Sequence, residues 1–257
     1  MRFITFKLWL ILVVLFTSFS VFADDENDFQ LPNPDPYEHY NRNTYRLNNK
    51  FDKAVLKPVA TAYNNYIPYP VRNSVGNFFS NLGEVSDISN DVLQANVYWT
   101  FNDSWRFLIN STIGIGGLFD VASKIGLLAH QNSFGLTLSA WGAKPAPYFI
   151  LPVLGPTTLA DTLGMPANYF TSVWYFFPQP VWVDIASFTL NGINSRASLL
   201  QHENVTSSIA LDPYVLMRSA YIQYRQQQVL INQNPEILIN ANNQLPYDDA
   251  DANDSNN

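Results

Sequence analysis

The stretch that most limits the fold is Gly142–Asp161, GAKPAPYFILPVLGPTTLAD. It is greasy enough for a membrane, yet Pro145, Pro147, Pro152 and Pro156 fall within twelve residues. Each proline removes a backbone donor and clashes with the preceding turn, so a helix spanning lipid cannot form here. From Pro145 to Val183 the only charged side chain is Asp161. The chain must therefore provide a place for a long, nearly uncharged, helix-broken segment.

The bulk composition points the same way. Aromatic residues make up 15% and charged residues only 14%, against about 25% charged in typical soluble domains. Part of the surface is expected to face something less polar than water. The formal net charge of −7 argues against nucleic acid, whose phosphates need a basic surface. Cysteine is absent, which excludes disulfides, thiolate metal sites, a cysteine nucleophile and lipid attachment to cysteine.

The first residues read as a secretory leader. Arg2 and Lys7 precede the apolar run Leu8–Phe16, and Val21-Phe22-Ala23 supplies small residues before Asp24. A retained anchor is the competing reading, but the run is short for a bilayer of about 30 Å. Four segments follow: a signal peptide at 1–23, a proline-rich linker at 24–34, a helical domain at 35–231, and an acidic, asparagine-rich disordered tail at 232–257.

Within the domain the periodicity is helical throughout. Asp35-Pro36 opens a helix carrying Tyr40, Thr44, Leu47 and Phe51 on one stripe. Pro58 starts a second with Val59, Tyr63 and Tyr66 on one face, ended by Pro68 and Pro70. Val71, Val75, Phe78, Leu82 and Val85 form the most regular pattern, with Gly83 weakening its end. Further helices are expected over Asp87–Trp99 and from Asp103. Gly114, Gly116 and Gly117 then predict a bend or a close backbone approach. Short helices follow in Asp120–Leu128 and around Phe134–Gly142, and another starts at Val181, Ile185 and Phe188. Asp212 and Pro213 cap a last helix with Tyr214, Met217, Tyr221 and Tyr224 in a stripe. The fold class predicted is all-α.

Catalytic motifs are thin. His39, His130 and His202 are the only histidines, and His202-Glu203 lacks the second histidine of an H-E-x-x-H helix. They read as isolated residues, so no metal or cofactor is expected. No G-x-S-x-G elbow occurs, and GIGGLF lacks the third glycine of a nucleotide loop. What the sequence does supply is interfacial: amphipathic helices able to lie in a leaflet, and tyrosine and tryptophan suited to its boundary. Tyr169, Phe170, Trp174, Phe176, Phe177 and Trp182 are the expected membrane contacts.

Five blocks carry a family resemblance in matching order: DPYEHYNRNTY (Asp35–Tyr45), RFLINSTIGIGGLFDVA (Arg106–Ala122), FGLTLSAWG (Phe134–Gly142), PYFILPVLGPTTLAD (Pro147–Asp161) and DPYVLMRSAYIQ (Asp212–Gln223). Together they resemble the MlaA/VacJ family of outer-membrane phospholipid-transport components. The resemblance implies a ring of amphipathic helices sunk in the inner leaflet of the outer membrane, around an amphipathic channel. It implies removal of mislocalised phospholipids from the outer leaflet, with no bond broken in the lipid. The partners implied are a trimeric porin, a periplasmic lipid carrier and an inner-membrane ABC transporter. Trp141–Tyr148 matches a hairpin that borders the family's channel, which makes Trp141, Gly142, Lys144, Pro145, Tyr148 and Asp161 the expected channel and lid residues. Family members are typically lipoproteins, and here no cysteine is available to acylate. An envelope phospholipase and a porin-binding scaffold are the alternatives from other classes.

Overall fold

In this protein the helices turn their amides and carboxylates inward. A computed structural model describes residues 35–200 and 212–244; the expected leader, linker, His202 and half of the expected tail lie outside them. The first helix, α1 (Glu38–Phe51), shows the inversion plainly. Its buried residues are Asn41 and Thr44, the one polar member of the expected stripe, while the stripe's Tyr40, Leu47 and Phe51 are exposed. The period was legible, but the side facing the interior is the polar one.

Asp35 does not cap α1, as its position suggested. The cap position is Tyr37, with no side-chain cap bond. Asp35 is buried instead and accepts hydrogen bonds from Asn41 Nδ2 (2.8 Å), the Tyr214 hydroxyl and Arg218 Nη1 (3.0 Å). It ties the entry of the domain to its last long helix.

Pro58 stands in the first turn of a second helix, as expected. A wide π-helical turn, Asp52–Leu56, joins α1 to α2 (Lys57–Tyr66), absorbing the missing donor and the ring. Pro68 and Pro70 then lead into α3 (Tyr69–Leu93), whose first turn holds Pro70. This helix runs 25 residues straight through Gly83. Glycine costs only about 1 kcal/mol in a helix, and α3 packs along α4 (Val97–Thr112), which offsets that. The expected helix over Asp87–Trp99 is therefore two pieces. Its break falls at Ala95 (φ +54°), after which Asn96 caps α4 by accepting from Trp99 N.

The glycine bend follows α4. A Cβ on Gly114 would sit 2.3 Å from the Phe119 carbonyl oxygen and 2.5 Å from that of Asn110, so only glycine fits. Gly116 and Gly117 take positive φ. The short helix α5 (Val121–Lys124), capped by Asp120, and α6 (Phe134–Ala140), capped by Ser133, come next.

The proline-rich stretch forms the one element that helical periodicity cannot show. Strands β1 (Tyr148–Leu151) and β2 (Gly155–Thr158) make an antiparallel hairpin, with Tyr148 opposite Thr158 and Ile150 opposite Pro156. Two asparagines two helical turns apart on α1 replace a third strand. Asn41 donates to Tyr148 O (3.1 Å) and accepts from Ile150 N (2.9 Å). Asn48 donates to Leu151 O (2.9 Å) and accepts from Val153 N (2.8 Å). Backbone groups that prolines and brevity leave unpaired are thus satisfied. Beneath the hairpin lies the small apolar core of Tyr148, Ile150 and Tyr214, flanked by Tyr45, Met217 and Tyr221.

Helix α7 (Leu159–Thr171) carries Pro166 inside it. A short α8 (Val173–Phe176) leads to α9 (Val181–Leu199), then α10 (Pro213–Gln233) and α11 (Glu236–Gln244). The ordered domain therefore passes the boundary expected at residue 231. Asn232 is buried, and it donates to Gln94 Oε1 while its carbonyl accepts from Asn96. These amides anchor the chain there, where composition alone suggested a tail.

The apolar residues displaced from the interior lie outside. On α9, Val181, Trp182, Ile185 and Phe188 are 60–72% exposed along one side. Leu163, Tyr169, Phe170, Phe176 and Phe177 are exposed as well. Among the described residues no helix is long and apolar enough to cross a membrane.

Candidate functional site

The helices line an open cavity of about 650 Å³ whose wall is contributed by α3, α4, α6, α7, α9 and α10 and by the segment before α6. Glu84, Arg106, Asp161, Met165, Tyr221 and Arg225 line it. The wall is mixed in character, and its polar part comes chiefly from the inward faces of α3 and α4. Asn81, Glu84 and Asp91 on α3, and Asp103, Arg106 and Asn110 on α4, recur at helical spacing and are buried.

Two arginines organise that wall. Arg106 donates from Nε to Glu84 Oε1 (3.0 Å) and from Nη1 to Ser123 Oγ (2.9 Å) and Leu127 O (2.8 Å), and its Nη2 reaches Asp120 at 3.4 Å. It thereby holds the loop around α5 against α3. Arg225 on α10 lies 3.0 Å from Asp161. Asp161 also accepts from Ser133 Oγ (2.8 Å) and Thr158 Oγ1 (2.7 Å). This pair forms only because residue 135 is glycine. A Cβ there would stand 2.1 Å from Asp161 Oδ1 and 2.9 Å from Arg225 Nη2.

Two carboxyls on this wall, Glu84 and Asp87, are poised to hold protons. Burial, reinforced by Asp103, outweighs the pull of Arg106 and pushes Glu84 up to about 8. Burial also holds Asp87 well above the usual carboxylate range, although Asn132 N donates to it at 2.9 Å. Tyr221 is pushed up to about 12 by burial and then by Asp161. Asp120 goes the other way: burial works against its charge, but the hydroxyl and amide of Ser123 bring it below its ordinary value.

Of the residues expected at a channel and lid, Asp161 lines this cavity. Tyr148 does not. At 2% exposure it is packed in the core beneath the hairpin, because alternation along β1 turns Tyr148 and Ile150 to that side. Trp141 and Gly142 form the turn after α6, with Gly142 at φ +90°. The Trp141 indole donates to Leu93 O at 3.0 Å. Lys144 and Pro145 are exposed on the irregular segment 143–147, and the hairpin itself lies further along, at Tyr148–Thr158. Of the expected aromatic contacts, Tyr169, Phe170, Phe176, Phe177 and Trp182 are exposed and Trp174 is half-buried.

Sequence reading missed Glu84, Arg106 and Arg225. The available signal was the polar spacing opposite each apolar stripe, which reads as a solvated face unless the fold is turned inside out. His130, expected to be a surface or hydrogen-bonded histidine, is the latter: it sits 2.9 Å from Asp103 and stacks on Trp99 at 4.1 Å.

The cavity, with its buried charged pairs, thus lies inside helices whose outer faces are apolar. The family model described as MlaA lipoprotein matches residues 33–228. The chain belongs to the MlaA family. Its relatives include the Escherichia coli and Haemophilus influenzae proteins called intermembrane phospholipid transport system lipoprotein MlaA. The first is 34% identical over 221 residues, covering 84% of this chain and 87% of the relative. The second is 31% identical over 219 residues, covering 83% and 85%. A Rickettsia felis protein is 36% identical over 201 residues, covering 78% and 80%. A solved structure from work on the structural basis for maintenance of bacterial outer membrane lipid asymmetry superposes with a TM-score of 0.66 at 33% identity. It covers 77% of this chain and 98% of its own. The predominantly helical fold of the MlaA family is thereby this chain's fold.

Proposed function

We propose that this MlaA family member sits at the periplasmic face of the outer membrane. There it carries mislocalised phospholipids out of the outer leaflet through its central cavity, maintaining lipid asymmetry. The observation that carries this reading is the inversion of the helices. Their exposed apolar faces suit acyl chains, and their polar faces line a cavity that suits a headgroup. Relatives named for intermembrane phospholipid transport support it.

The ring lies in the inner leaflet instead of crossing the bilayer, with α9 and the Tyr169–Phe177 region as its apolar rim. Irregular backbone in Ala143–Pro147 is tolerated at membrane depth where it borders protein or a wet space, and this segment acts as the lid. Lipid passes on to a periplasmic carrier and an inner-membrane ABC transporter, with a trimeric porin as neighbour. The reaction is translocation and breaks no bond in the lipid. Attachment rests on the apolar rim, since no cysteine is present to acylate.

The test is outer-leaflet phospholipid in cells lacking the chain, with and without its restoration, together with the lipid products. Excess outer-leaflet phospholipid that falls on restoration, with the lipid recovered intact, is the expected result. Recovery of hydrolysed lipid would make it a phospholipase, and unchanged asymmetry would make it a scaffold.

A further inference from the structure

Asp91, Asp103 and His130 come from the end of α3, the middle of α4 and the segment before α6. One potential ligand atom from each lies within 4.8 Å of the other two. His130 Nδ1 is 2.9 Å from Asp103 Oδ2 and 4.0 Å from Asp91 Oδ1, and all three side chains are buried.

The groups are held from behind. Asn102 donates to Asp103 Oδ1 at 2.8 Å, and Asn132 donates to Asp91 Oδ1 at 2.7 Å. Trp99 lies flat on the imidazole, 4.1 Å between centroids and 8° between planes. Such outer partners are what orient ligands around a metal. One atom stays unanswered: Asp91 Oδ2 is buried with no hydrogen-bond partner. A buried carboxyl oxygen without a donor, beside a second carboxyl, is a place for positive charge, either a proton shared with Asp103 or a cation. Arg106 does not supply it, for its donors go to Glu84, Ser123, Leu127 and Asp120.

We propose that Asp91, Asp103 and His130 bind one divalent transition-metal ion, Zn²⁺ foremost, as a structural site. Two carboxylates and a neutral imidazole carry the charge that neutralises a dication. One nitrogen with oxygen donors suits Zn²⁺ or Mn²⁺, whereas Ca²⁺ prefers an all-oxygen shell. His130 also lines the cavity, which gives the ion a way in and a water to complete its shell. The ion pins α3, α4 and the segment before α6 at one point. In an exported chain without cysteine it takes the cross-linking part that disulfides play elsewhere.

The experiment uses untagged, detergent-extracted protein stripped with a chelator and dialysed against Zn²⁺ or Mn²⁺. Bound metal is counted by elemental mass spectrometry, and unfolding is followed by circular dichroism. Wild type is expected to retain about one ion per chain and to melt at higher temperature with metal than without. Asp91→Asn and His130→Gln are expected to bind at least about tenfold more weakly, while His39→Gln, at an exposed position, matches wild type. The wild-type titration decides even if a variant fails to fold. Wild type that retains neither ion and melts unchanged overturns the site and leaves a carboxyl pair bridged by a proton. Variants that bind as wild type does overturn it equally.

Discussion

Glu84 accepts a hydrogen bond from Arg106 at 3.0 Å with both side chains almost wholly enclosed, yet burial and Asp103 push its carboxyl up to about 8. The folded protein therefore holds a proton that the unfolded chain releases above its ordinary value of 4.5. Stability from this group is complete below that value, declines as pH rises toward 8, and is lost above it. The melting temperature should fall across that window, and Glu84→Gln should lessen the slope by fixing a neutral side chain in place. The opposite slope, or a Glu84→Gln profile identical to wild type, would contradict this.

Gly135→Ala places a Cβ where Asp161 Oδ1 already stands, 2.1 Å away. Either α6 shifts or the Asp161–Arg225 pair opens. Overpacking of this kind typically costs about 1–3 kcal/mol, and a pair opened on the cavity wall should also impair lipid asymmetry. Thermal unfolding and outer-leaflet phospholipid measured on the same variant check both effects.

Asn41→Ala removes the side chain that closes the outer edge of β1, leaving the buried Ile150 N–H and Tyr148 carbonyl without it. Unsatisfied buried groups cost about 1–3 kcal/mol each, so a loss of at least about 2 kcal/mol is expected. Hydrogen exchange should show the hairpin opening before α4 does.

Trp182 and Phe188 protrude from α9 with 71% and 60% of their surface exposed. Burial in acyl chains contributes about 25 cal/mol per Å². Salt washing should leave the wild type on membranes, because apolar contact is not screened. Trp182→Asp combined with Phe188→Asp should shift protein into the wash while helix content stays normal. Release of wild type by salt alone would show an ionic attachment.

The turn and lid segment offers a separate test. At Gly142 a Cβ meets open space but φ is +90°, so Gly142→Trp strains the backbone and crowds the segment beyond it. Lys144→Asp reverses charge at an exposed position. Both should raise outer-leaflet phospholipid at normal abundance, and wild-type asymmetry in both would make the segment an ordinary turn.

Helix positions and the glycine bend were legible because period, caps and breakers are local signals. Val71 to Val85 and Asp212-Pro213 fall in helices as the spacing predicts. Orientation was not legible. The stripe Tyr40–Thr44–Leu47–Phe51 reads as a core face by any water-based rule, yet of its four members only Thr44 is buried, beside Asn41. The hairpin was hidden for a different reason. Its edge is satisfied by Asn41 and Asn48, more than a hundred residues away in sequence. The cavity charges fall between these cases: Arg106 and Glu84 meet only when α3 and α4 lie side by side.

Photo-crosslinking in cells tests the passage of lipid most directly. A crosslinking residue is placed at Met165 or Asn168 on the cavity wall, at Ile185 on the outer face, and at the exposed Lys124. The account predicts intact diacyl phospholipid attached at the cavity positions as well as at Ile185, and none at Lys124. Labelling at Ile185 with none at Met165 or Asn168 would mean that lipid surrounds the protein without entering it, and would contradict the account.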